Sequence, residues 1–116
     1  METDIDLLRR LGGLRDATVE EVVWRKADRS LRLTIADMYG NLDGRAGYPG
    51  PSSGAVTFLG LDGLTIETAL FRGVFRISGI EVERRGDQLV VRVGLGEPGS
   101  DLRIVCKEIR VTIGDR

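Results

Sequence analysis

The sequence has no histidine, one cysteine (Cys106), two lysines (Lys26 and Lys107) and one tryptophan (Trp24). Without histidine, the commonest general base near neutral pH is missing. Ser-His-Asp and Cys-His catalysis are excluded with it, as are zinc sites built from His and Cys clusters. Carboxylates, Tyr, Lys, Arg, Ser and Thr are what remains for chemistry, and no enzymatic activity is expected. A lone cysteine fits a reducing compartment. No apolar run approaches the ~20 residues of a membrane span. The acidic start, Met1-Glu2-Thr3-Asp4, lacks the basic residues and apolar stretch of a secretory signal. The expectation is a cytoplasmic protein with no membrane partner. Seventeen Lys and Arg against eighteen Asp and Glu give no net pull toward nucleic acid.

The 116 residues fit a single domain spanning 1–116, long enough to bury a core without a disulfide or metal staple. A 41% hydrophobic and 30% charged composition is that of a soluble globular chain. Thr3 followed by Asp6 resembles a capping box. Ile5, Leu8 and Leu11, widened by Leu7 and Leu14, make the apolar stripe of a short helix over about 3–12. Gly12-Gly13 end it, because glycine tolerates left-handed dihedrals.

From Thr18 the period becomes two, and strands run from about 18 to 113. Val22 and Trp24 share one face and are expected to anchor the core. Ala27-Asp28-Arg29 turns into Leu31, Leu33 and Ile35. Val56 and Phe58 begin the next strand, and Gly60-Leu61-Asp62-Gly63 is expected to close a hairpin into Leu64, Ile66 and Thr68. Gly86-Asp87 turns toward Leu89, Val91 and Val93. Two runs change phase: Phe75 and Ile77 against Ile80 and Val82, and Leu102, Ile104 and Cys106 against Ile109, Val111 and Ile113. A one-residue slip sends half a strand to the wrong face, so bulges are expected at Gly79 and at Lys107-Glu108. The predicted fold is mainly β (α+β). It is a curled antiparallel sheet forming a sandwich or partly open barrel, with one short N-terminal helix against it.

Residues 37–54 carry five glycines and two prolines and show neither period. Loops of this length are commonly functional or disordered. Tyr39 and Tyr48 are candidate binding anchors there, with Arg45 between them and Asp43 beside them. Asn41-x-Asp43-Gly44 does not make an EF-hand, since Tyr39 would take the first ligand position and Gly50 the last. An irregular calcium site from Asp37, Asn41 and Asp43 stays open on residue type alone, but no metal and no cofactor is expected. Gly94-x-Gly96-x-x-Gly99 matches the dinucleotide string, yet Pro98 lies inside it and strand periodicity follows where a helix is required. Arg85-Gly86-Asp87 reads as a hairpin tip. Cys106, within a strand, reads as a small buried hydrophobe.

The order of elements is a leading helix, a Trp strand, a glycine-rich loop and the Phe strand Val56-Thr57-Phe58-Leu59-Gly60. Ile80-Glu81-Val82 and the close Leu102-Arg103-Ile104-Val105-Cys106-Lys107-Glu108-Ile109-Arg110-Val111 follow. Over roughly residues 20–113 this resembles small bacterial β proteins grouped with the immunity proteins of polymorphic toxin systems. The resemblance is one of hydrophobic pattern and carries over no functional residue. It implies a non-catalytic protein that binds and blocks a toxin domain.

The leading expectation is thus a non-enzymatic bacterial β-domain that binds another protein or a second copy of itself, since exposed strand edges invite pairing. An alternative is a small-molecule binder with Phe58, Phe71, Phe75 and Trp24 lining its pocket and the 37–54 loop as its lid. A third is a hydrolase using two acids from among Asp37, Asp43, Asp62 and Glu67, which needs them ~5–10 Å apart.

Overall fold

The structure, a computed structural model, describes residues 3–15, 17–39, 52–66, 75–95 and 101–114. Helix α1 spans Asp4–Arg10 and begins as its sequence predicts. The Asp6 N–H donates to Thr3 Oγ1 at 3.1 Å, and the Thr3 N–H donates to Asp6 Oδ2 at 3.2 Å. Gly12, Gly13 and Leu14 all take positive φ, which stops the helix and turns Leu14 into the core. The 56° φ of Leu14 is unfavourable for a side chain with a Cβ. Complete burial of that leucine, worth about 1.5–3 kcal/mol, offsets the strain.

Among the described residues nine strands follow: β1 Thr18–Arg25, β2 Ser30–Ile35, β3 Gly54–Leu59, β4 Gly63–Ile66, β5 Phe75–Arg76, β6 Gly79–Arg85, β7 Gln88–Gly94, β8 Asp101–Cys106 and β9 Glu108–Ile113. They form two antiparallel sheets, in the orders β5-β1-β2-β3-β9 and β4-β8-β7-β6. The sheets pack face to face as a sandwich. One contributes Leu31, Leu33, Val56 and Phe58 to the core, and the other Leu89, Val91, Leu102 and Ile104. Leu8, Leu11 and Leu14 join the same cluster, so α1 and the turn behind it close one end of the sandwich. There Asp4 Oδ2 accepts the Val111 N–H of edge strand β9 at 2.8 Å, and Gly13 lies against the Ile80 backbone.

Both changes of phase are real, and each falls at a corner where the chain passes from one sheet to the other. After β5 the chain leaves the first sheet and enters the second as β6, with Ile77 and Ser78 bonded to Ala17 and Gly94 on the way. After β8 it returns to the first sheet at Lys107 to form β9. The segment Gly60–Gly63 is also a corner and not a hairpin, because β3 and β4 lie in different sheets. These last two corners run side by side. β3 pairs with β9 from Gly54↔Ile113 to Leu59↔Glu108, and β4 pairs with β8 from Gly63↔Val105 to Ile66↔Leu102. Residues 54–66 and 101–113 are therefore one two-stranded ribbon that bends from sheet to sheet. At the bend, Gly60, Leu61 and Asp62 face only Cys106 and Lys107, and this extra residue creates the corner.

A bulge does occur where none was expected. In β1, Val19 pairs with Ile35 but Glu21 pairs with Thr34. Glu20 is the inserted residue, and it shifts the core-facing positions from Val19 to Val22 and Trp24.

Candidate interaction surface

The feet of the 37–54 loop are pinned by one carboxylate. Asp37 Oδ1 accepts the N–H of Tyr39 at 3.0 Å and of Ser52 at 3.1 Å, while the Met38 N–H donates to the Ser52 carbonyl at 2.7 Å. Asp37 therefore has a structural role that residue type alone did not disclose. Tyr39 is half-buried and packs on the edge of the core. Asp43, Arg45 and Tyr48 lie outside the described residues, as do Glu67 and Phe71.

The tryptophan departs from expectation. Trp24 shares its face with Val22, as periodicity demands, and pairs with buried Leu31. Yet it is 52% exposed, the one large hydrophobic side chain so exposed among the described residues. The reason is position along the strand. The β1–β2 hairpin ends at Arg25↔Ser30, level with the corner at Gly60–Gly63, so its last core-facing residue has no opposing sheet to pack on. Trp24 instead forms the rim of a surface hollow of about 200 Å³, with Leu61 and Leu64 on its apolar side and Lys26 and Arg29 on its polar side.

That rim is held by a polar network. Arg29 donates from Nε to the Leu61 carbonyl at 3.0 Å and from Nη2 to Asp62 Oδ1 at 2.6 Å. Gln88 Nε2 donates to the other Asp62 oxygen. Three separate turns thus meet at Asp62: the β1–β2 hairpin, the corner, and the start of β7. Asp62 is committed to this contact. The ion pair is exposed and contributes at most about 1 kcal/mol, so its effect is positional.

Cys106 is fully buried, as its strand position implies. Burial pushes its thiol up to about 11, partly opposed by a hydrogen bond from the Glu108 backbone. It is a core side chain without nucleophilic character at neutral pH. Strand β8 begins at Asp101, where the dinucleotide string would require a helix; Gly96 and Gly99 lie outside the described residues. Arg85-Gly86-Asp87 forms the β6–β7 hairpin tip.

No protein-family description and no curated protein matches the sequence. The fold has a counterpart in a crystal structure of an uncharacterized protein from Neisseria gonorrhoeae. The two share a TM-score of 0.56 and 14% sequence identity, over 84% of this chain and 90% of that chain. At that identity the likeness concerns the fold alone.

Proposed function

We propose that the chain is a non-catalytic protein-binding β-domain that presents the Trp24 hollow to its partner. Exposed Trp24, set beside Leu61 and Leu64 on a network of fixed turns, is the observation that carries this reading. Tryptophan on a rigid support is the side chain most often found at the energetic centre of protein interfaces. Trp24 leaves half its surface in water, so a partner's apolar side chain covering it gains burial that folding did not supply. The pinned loop beginning at Tyr39 is a second contact region, at the opposite end of the strands. The finer form of the proposal is a toxin-neutralising immunity protein. It is supported by the pattern resemblance and by the absence of histidine.

The test is a partner captured with the wild-type chain, identified, purified and titrated back in a calorimeter. A defined complex that Trp24→Ala weakens at least tenfold, about 1.4 kcal/mol, supports the reading. A complex indifferent to Trp24→Ala removes the hollow from the interface. Failure to reconstitute any complex overturns protein binding. The immunity form further requires that the partner arrest bacterial growth and that co-expression of this chain restore it.

A further inference from the structure

We infer that two copies of this chain pair through the bare half of strand β1, with residues 21–25 antiparallel about a two-fold axis at Val23. This names a second copy as the partner for the Trp24 surface, and it rests on the reading of Trp24 as an interface residue.

The edge is open where the pairing needs it. Strand β5 covers β1 only at Thr18↔Arg76 and Val19↔Phe75. From Glu21 to Arg25, β1 pairs with β2 on one side and with no strand among the described residues on the other. Backbone groups left unpaired along such an edge accept a strand from another chain. The bulge at Glu20 lies outside this stretch, and residues 21–25 keep an unbroken register with β2. The other edges suit a second copy less well. Strand β4 offers only four residues, and Asp4 holds β9 at Val111. On β6, Gly13 lies against the Ile80 backbone. A two-fold ladder centred anywhere from 81 to 84 on β6 also sets like charges face to face, because Glu81, Glu83 and Arg84 meet themselves or each other.

The sequence selects the register. Residues 20–26 read Glu-Glu-Val-Val-Trp-Arg-Lys, with acids at one end, cations at the other and apolar residues between them. About Val23, Glu21 faces Arg25 of the second copy, Glu20 faces Lys26, Val22 faces Trp24, and Val23 faces itself. Opposite residues in an antiparallel pair share a face of the sheet. The core-side face therefore sets Val22 against Trp24, and the outer face sets Glu21 against Arg25. Moving the axis to Val22 would put Val23 against Glu21 and Trp24 against Glu20. Moving it to Trp24 would put Val23 against Arg25 and Val22 against Lys26. Only the axis at Val23 matches charge with opposite charge and apolar with apolar, which fixes the pairing.

Exposure agrees with this arrangement. Glu20, Glu21, Trp24, Arg25 and Lys26 are exposed, and Val22 and Val23 are half-buried. None of Glu20, Glu21, Arg25 and Lys26 has an ion-pair partner among the described residues. The second copy supplies one to each. It also lays Val22 beside the half of Trp24 that folding leaves in water. The contact is isologous and closes at two copies.

The experiment is sedimentation equilibrium of the whole chain and its charge variants. A ladder this short lies at the small, weak end of protein interfaces, so the wild type should pass from monomer to dimer with a dissociation constant of about 10–100 µM. Glu21→Arg sets arginines opposite each other, and Arg25→Glu sets glutamates. Each alone should weaken the dimer at least tenfold, because favourable pairs become unfavourable at both ends of the ladder. Both positions are exposed, so urea midpoints should stay at the wild-type value. An equimolar mixture of the two variants restores opposite charges at every pair and should dimerise again, as should the double variant alone. A wild type that stays monomeric to about 1 mM, single variants that dimerise as wild type does, or a mixture that stays monomeric overturns the inference. A monomeric wild type whose complex with a different protein still depends on Trp24 overturns the dimer and leaves the Trp24 reading standing. A dimer broken by the single variants and restored by the mixture supports the inference whether or not a different protein is captured.

Discussion

Arg29 and Leu61 bind each other twice: the Leu61 N–H donates to the Arg29 carbonyl at 3.0 Å, and the Arg29 Nε–H donates to the Leu61 carbonyl at 3.0 Å. Arg29 makes this exchange from a left-handed backbone with φ 52°. The strain of that conformation and the gain of the two bonds oppose each other. Arg29→Ala removes the side-chain bonds and keeps the strain, so it should destabilise by about 1–2 kcal/mol. Arg29→Gly removes both and should cost less than Arg29→Ala, an inversion of the usual order inside a fold. Urea midpoints of the two variants decide the matter.

The thiol of Cys106 sets a pH dependence. Its ordinary value of 9.0 is raised to about 11 by burial. The folded chain therefore keeps a proton that the unfolded chain has already lost between pH 9 and pH 11. The stabilisation is complete below pH 9 and disappears as pH rises through about 11, a loss on the order of 2–3 kcal/mol. Cys106→Ala should be less stable at neutral pH because of the cavity it leaves. Its deficit against wild type should shrink between pH 9 and pH 11. A constant deficit across that range would show that the thiol does not titrate as described.

At Gly54 the constraint is steric. A Cβ there would collide with the Thr112 carbonyl of β9 and with Cγ of Met38. The first obstacle is backbone and has no rotamer to escape into. Gly54→Ala should cost about 2–4 kcal/mol. Met38→Ala in the same chain should not rescue it, because the carbonyl stays. Rescue by Met38→Ala would mean that the side chain, not the backbone, sets the limit.

Asp4 protects an edge. By accepting the Val111 N–H it covers one donor of β9, whose far side has no strand partner among the described residues. Asp4→Ala should destabilise by about 1 kcal/mol and also expose a pairing edge. A rise in apparent mass with concentration in sedimentation, steeper than in wild type, is the expected sign. Asp4→Asn keeps an acceptor and should stay closer to wild type on both counts.

Much of this architecture is legible in the sequence, and the misses have a common origin. The capping box at Thr3 and Asp6, the glycine stop, and the alternation of Leu31, Leu33 and Ile35 or of Leu89, Val91 and Val93 are local, and they translate directly into elements. The parity switches at 77–80 and 106–109 are also visible. Whether such a switch stays within one sheet or carries the chain into the other is decided by the partner strands. Trp24 shows a similar limit. Periodicity gives its face, but its depth depends on where the opposite sheet stops.

The ribbon through both sheets also governs how the chain can be made. Its first strand is synthesised some fifty residues before its second. While residues 101–113 are still inside the ribosome, β3 has no outer neighbour, the Asp4 carboxylate has no Val111 amide to hold, and β4 has no strand beside it. Sequence-distant pairing of this kind slows folding. The nascent chain carries a bare apolar edge on β3 until Glu108–Ile113 emerge, so β9 seals that edge during vectorial synthesis.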